Sequence, residues 1–207
     1  MRNTKKRWFS VFAVCCICII VLIMTAVFSD GKAGLEAKIQ EYADSINSGD
    51  IDRYIKLFTL DNQGEMKDYL DFWGAEKFFR KENIAIQNVK QLSDSVGRRS
   101  SAISDDEISK YDAVAVYYTD MRVQTKQSSD ELMKSGHQFQ NFVFVKESGE
   151  WKILRISSPN LKLTIESGEG FHTIEEQEAL ARKEALYRHP VQELKLWVRK
   201  IQNGYRT

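Results

Sequence analysis

Residues 137–156 read HQFQNFVFVKESGEWKILRI, and this stretch decides the architecture. Phe142 and Phe144 fall on one face of an extended chain, with Val143 and Val145 on the other. Beyond ESGE, Trp151, Ile153 and Arg155 alternate with Lys152, Leu154 and Ile156. So short a link makes the two runs an antiparallel hairpin, with Gly149 at a position that needs positive φ. Aromatic and β-branched side chains suit a pleated, half-buried surface, so the rings read as packed core and need no ligand to explain them.

Upstream, YDAVAVYYTDMRVQT (111–125) continues the period of two, and IAIQNVKQL (84–92) does so more weakly. In the 111–125 run neither face is purely polar, so both faces are expected to be partly covered. Between these runs SDSVGRRSSAISDDEISK (93–110) is Ser-rich and polar, and reads as a long mobile or functional loop.

Further upstream the period changes to that of helices. Leu35, Ile39, Tyr42, Ala43 and Ile46 share one face. NSGD ends that helix, with Gly49 free to take a positive φ and Asp50 placed to cap a second helix that buries Ile51, Tyr54, Ile55 and Phe58. Met66, Tyr69, Leu70 and Trp73 mark a third, with Phe78 and Phe79 near its end. The fold class is therefore α+β, with helices layered on an antiparallel sheet.

The ends differ from this body. Residues 8–28, WFSVFAVCCICIIVLIMTAVF, carry no charge, and 21 helical residues span a hydrocarbon core of about 30 Å. They are expected to cross a lipid bilayer once. Arg2, Lys5, Lys6 and Arg7 before the run and Asp30 after it orient the N-terminus to the cytoplasm and the main domain outside it. A cleaved signal peptide shares the basic start, although its apolar core is usually about 7–15 residues. Cys15, Cys16 and Cys18 are the only cysteines and all fall in this run. The rest has neither a disulfide framework nor a thiolate metal site.

At the other end, Thr173 and Glu176 form a capping-box pattern before a helical stretch that His189-Pro190 interrupts. Beyond the break, Leu194, Trp197, Val198 and Ile201 form an apolar stripe, with Gly204 as a stop. Residues 173–207 hold seven Lys and Arg against five acidic residues, whereas residues 30–172 hold 19 against 24. The stripe is the candidate partner-binding surface, with packing on its own domain as the alternative. The sequence divides into a basic segment (1–7), a transmembrane helix (8–28), a linker (29–33), a domain (34–165) and a C-terminal helical extension (166–207).

The order of three helices, a strand and an antiparallel meander, together with YADSINSGDIDRYIKLF (42–58), resembles the nuclear transport factor 2-like superfamily over residues 34–160. The resemblance implies a cone in which helices close over a curved sheet. It also implies three kinds of function: isomerases or dehydratases, small-molecule binders, and noncatalytic assembly domains. The enzymes place an Asp or a His–Asp pair, often with a Tyr, inside the cone.

No such motif is evident here. Asp120 alternates with Arg122 and reads as a surface ion pair, and Tyr42, Tyr54 and Tyr69 lie on apolar helix faces. His137, His172 and His189 sit at a strand start, before a helix cap and at a Pro break. The spacing supports no metal site, phosphate loop or nucleophile elbow, so no catalytic, cofactor or metal residue is assigned. The acidic body disfavours nucleic acid. The layout also resembles the bitopic assembly subunits of conjugative and type IV secretion systems. The expectation is a noncatalytic, membrane-anchored, extracytoplasmic domain of a cell-envelope assembly, in conjugation, secretion or sporulation, which binds a protein partner or itself. A small-molecule ligand in the cone is the alternative, and an isomerase or dehydratase the third reading.

Overall fold

The computed structural model describes residues 34–74, 82–125 and 136–188. The apolar run 8–28 and the stripe Leu194, Trp197, Val198 and Ile201 lie outside the described residues, as do Phe78 and Phe79. Among the described residues no helix is long and apolar enough to cross a membrane.

Three helices come first: α1 (34–48), α2 (Ile51–Lys56) and α3 (Leu60–Trp73). The corner between the first two forms as its sequence requires. Gly49 takes φ 72°, and the Asp50 carboxylate accepts the Arg53 N–H at 3.0 Å, satisfying a donor that a helix start otherwise leaves unpaired. Leu35, Ile39, Ala43 and Ile46 are all buried, so the periodic face of α1 is its packed face.

The sheet has four antiparallel strands in chain order: β1 (Glu82–Gln91), β2 (Val114–Thr125), β3 (Gly136–Glu147) and β4 (Glu150–Ser157). Ser148 (φ 51°) and Gly149 (φ 85°) close the β3–β4 hairpin, the pair of positive angles that matches strand twist in a two-residue turn. Residues 115–121 of β2 are all buried, because both faces of the sheet are covered. Ala115, Tyr117, Met121, Phe142, Phe144 and Ile153 meet α1, α2 and Leu70 of α3 on the helical face. Val116, Tyr118, Phe139 and Val143 build a second cluster on the opposite face.

Two expectations fail here for identifiable reasons. The register of β3 against β4 shifts between Val143 and Phe144, because one extra residue is accommodated in β4. Ile156 therefore pairs with Phe142 and packs on the helical-face core, while Arg155 pairs with Val143. Strict alternation had put them the other way round. Residues 93–110 are also not one long loop. They form α4 (Asp94–Ser101) and α5 (Asp105–Ile108), the latter capped by the Ser104 hydroxyl.

Helix α4 closes the second face with hydroxyls as well as apolar groups. Buried Asn141 donates to Ser100 Oγ (3.0 Å) and Ser101 Oγ (2.9 Å), and Ser100 Oγ lies 2.9 Å from Thr164 Oγ1. Buried polar groups are tolerated when paired in this way. Thr164 belongs to α6 (Leu161–Glu166), which is followed by α7 (Ile174–Arg188).

Candidate functional site

Between the helices and the sheet lies an open cleft of about 550 Å³. Tyr42 of α1 and Tyr54 of α2 form one wall, Asn62, Glu65, Met66 and Leu70 of α3 a second, and Gln140, Leu154 and Ile156 the strand side. The amphipathic helices give the cleft its chemistry: rings and aliphatic chains that continue the core line it, and a few polar side chains sit among them. Tyr42 is 5.6 Å from Tyr54 and meets Phe142 edge-on at 5.1 Å, ring centroid to centroid.

Main-chain pairing holds this mouth to the sheet. Ile153 N donates to Leu57 O at 2.8 Å, and Thr59 N donates to Ile153 O at 3.1 Å, while Asn62 Nδ2 donates to Leu154 O. The corner between α2 and α3 thereby covers part of the β4 edge, which would otherwise offer unpaired main-chain groups. The bulge in β4 aims Ile156 into the cleft. It sends the Arg155 guanidinium across to the carbonyls of Ser101 and Ala102 and to Glu107.

Asp120 is the residue whose surroundings differ most from expectation. It is only 1% exposed, whereas Arg122 is exposed, so the two do not form a surface pair. Its partner is His137, whose Nδ1 lies 2.8 Å from Asp120 Oδ1, with Asn88 Nδ2 at 3.5 Å from Oδ2. A His–Asp pair therefore exists, but its carboxylate alternates with Tyr118 on the second face. Neither residue lines the cleft. Sequence spacing missed the pair because its members meet only through the β2–β3 register, in which His137 lies opposite Arg122.

The second face holds another buried carboxylate. Glu176 is 0% exposed and accepts hydrogen bonds from the Tyr118 hydroxyl (2.7 Å), His172 N (2.8 Å) and Phe171 N (3.2 Å). The capping pattern at Thr173 is thus half realised. Glu176 N donates to Thr173 Oγ1 at 3.2 Å, while the carboxylate takes the two N–H groups before the cap. Phe171 stacks on Tyr118 at 4.6 Å. At Gly170 a Cβ would fall 2.8 Å from Glu176 Oε1, so the missing side chain admits the carboxylate. Burial first, and then the bond to Glu176, pushes the Tyr118 phenol far above its ordinary range. These contacts fix the start of α7 to the sheet.

Among the described residues no group of three or more His, Cys, Asp or Glu could hold a metal ion. His172 is exposed, with φ 59°, just before the helix cap, and His189 lies outside the described residues. Tyr42 and Tyr54 do reach the cleft.

Three helices closing over one face of a four-stranded antiparallel meander, with a cleft between the layers, define a cone-type α+β domain. A family model for the SnoaL-like domain matches residues 35–159, and the chain belongs to that family, within the nuclear transport factor 2-like superfamily. No curated protein matches the chain.

Proposed function

We propose that this chain is a noncatalytic binding protein. Residues 8–28 anchor it in a lipid bilayer, and its SnoaL-like domain, outside the cytoplasm, receives an apolar group of a protein partner within a cell-envelope assembly. The observation that carries this reading is the character of the cleft: about 550 Å³, walled largely by Tyr, Met, Leu and Ile side chains, with the His–Asp pair, its carboxylate buried, on the opposite face of the sheet. General acid–base work needs its groups within hydrogen-bond reach of the bound molecule. Of the polar residues that line the cleft, Asn62, Glu65 and Gln140 suit orientation of a bound group, while the Arg155 guanidinium is held by the Ser101 and Ala102 carbonyls and Glu107. The uncharged run and the basic residues before it support the anchoring. A small molecule is the second reading, favoured by a volume within the roughly 300–1,000 Å³ of known ligand pockets.

The test fills the cleft. Met66 is only partly buried, so Met66→Trp occupies the opening without forcing open the core. In membranes treated with a lysine crosslinker the wild-type chain is expected in a higher-mass complex, which Met66→Trp loses while keeping its melting temperature. Retention of the complex by a folded Met66→Trp protein overturns the reading. A molecule released on denaturing the purified protein, and seen by mass spectrometry, selects the small-molecule reading. Protease added to intact cells is expected to remove the domain, and full protection would reverse the orientation.

A further inference from the structure

One charge in the cleft wall has no partner among the described residues. Arg155, the cation in that wall, is taken up by Glu107 and by the carbonyls of Ser101 and Ala102. Asn62 gives its amide to Leu154 O, and Gln140 is neutral. Glu65 differs from all three. Its side chain is exposed, which puts it at the mouth of the cleft it lines, and among the described residues its carboxylate has neither a hydrogen bond nor an ion pair.

The surroundings reinforce that charge. Asp61, Glu65 and Asp68 recur at i, i+4 and i+7 on α3 and share one side of the helix. Asp61 is answered by Lys110 Nζ at 2.6 Å, but Asp68 is exposed and has no partner among the described residues either. Lys67, the one cation of α3, lies about 200° around the helix from Glu65 and does not line the cleft. Met66 and Leu70 of α3 and Ile156 on the strand side give the wall aliphatic surface, and Tyr42 and Tyr54 give it rings. The cleft is thus apolar within and anionic at its mouth. Lys and Arg side chains match both parts, since they lay their methylenes along apolar surface while the charged head stays near water. The rings favour the same sign of charge, because a cation is attracted to an aromatic face within about 6 Å.

From this pattern we infer that the group the cleft receives is a basic side chain of the partner, a lysine or an arginine, with its methylenes on Met66, Leu70 and Ile156 and its charge at Glu65. The inference rests on the cleft being the binding site and adds what that site selects. An acidic side chain would be repelled at the mouth, and a neutral aliphatic one would leave the carboxylate unanswered.

The probes are the N-acetyl methylamides of lysine, arginine and norleucine, the last keeping the aliphatic stem of lysine without its amine. They are titrated into the full-length chain in lipid nanodiscs, isotopically labelled at its methionine methyls, and followed by NMR. The Met66 signal is identified by its loss in Met66→Leu. The basic probes are expected to move it and to bind roughly fivefold tighter than norleucine. Glu65→Gln is expected to bring them down to the norleucine level, whereas Asp71→Asn, at a position that does not line the cleft, changes neither. Norleucine binding as tightly as the basic probes, or a preference that survives Glu65→Gln, overturns the inference and leaves the cleft a binder of apolar groups. No movement with any probe overturns both the inference and the reading on which it rests. In cell membranes Glu65→Arg, folded to the wild-type melting temperature, is expected to lose the crosslinked complex. If it keeps the complex while Met66→Trp loses it, the partner enters by a neutral group and the inference alone falls.

Discussion

Replacing Glu176 by Ala should release α7 from the sheet, and the size of the effect follows from what the carboxylate holds. Three donors lose their acceptor: the Tyr118 hydroxyl at 2.7 Å and the N–H groups of His172 and Phe171. Tyr118 is 0% exposed, so its hydroxyl cannot turn to water. A buried donor left unsatisfied costs about 1–3 kcal/mol. The two main-chain donors lie next to partly exposed residues and recover part of their loss in water. Against this, the variant no longer keeps a carboxylate dry, which offsets some of the damage. The net expectation is a loss of about 3 kcal/mol.

Tyr118→Phe removes one of the three bonds and should lose about 1–2 kcal/mol, and the two changes should couple, since they share one hydrogen bond. Gly170→Ala should also destabilise, because its Cβ would displace the carboxylate. Urea unfolding followed by circular dichroism measures the totals. Amide exchange over residues 174–183 shows whether α7 opens by itself before the rest. If Glu176→Ala leaves both the urea midpoint and that exchange unchanged, the carboxylate is not a latch and the reasoning fails.

Phe142, fully buried in the helical-face core, should lose about 3–5 kcal/mol on replacement by Ala, read from the same urea titration; a loss under about 1 kcal/mol would mean that the ring is not packed as described. Stability should fall steeply in alkali. Burial holds the Tyr117 phenol at about 12 against 10.0 for an exposed one, so its contribution is whole below pH 10 and is lost as pH rises through 12, by roughly 2–3 kcal/mol. Absorbance at 295 nm should show Tyr117 and Tyr118 ionising only with unfolding. Their ionisation in step with exposed tyrosines would contradict their burial.

Strong local signals were legible in the sequence. Gly49-Asp50 announced the corner between α1 and α2, and the run 111–125, with neither face purely polar, announced a sheet covered on both sides. Signals that depend on a distant partner were not. The stretch 93–110 looked like a loop because the surface it buries is partly Ser100 and Ser101, whose hydrogen bonds go to Asn141 and Thr164, forty or more residues away. Asp120 looked like a surface residue because Arg122 is near in sequence, while His137 is near only after two strands have paired. The bulge in β4 is a one-residue irregularity, and period counting cannot see it. Of the cleft, Tyr42, Tyr54, Phe58, Met66 and Leu70 were legible as apolar helix faces, but not as the walls of an opening; its polar residues, spread over three elements, share no spacing.

The pairing of Leu57 and Thr59 with Ile153 also sets an order of events during synthesis. The helices at the start of the domain leave the ribosome first, but the main chain of their corner has no sheet to bind until residue 153 emerges, some 95 residues after Phe58. At about 5–20 residues per second that interval is roughly 5–19 s. Early in it the apolar faces of α1 and α2 have only each other to cover them, until Leu70 of α3 and then Ala115, Tyr117, Phe142 and Phe144 of the strands emerge, which makes the nascent chain a client for any factor that shields such surface, and completion of β4 the step that closes the corner.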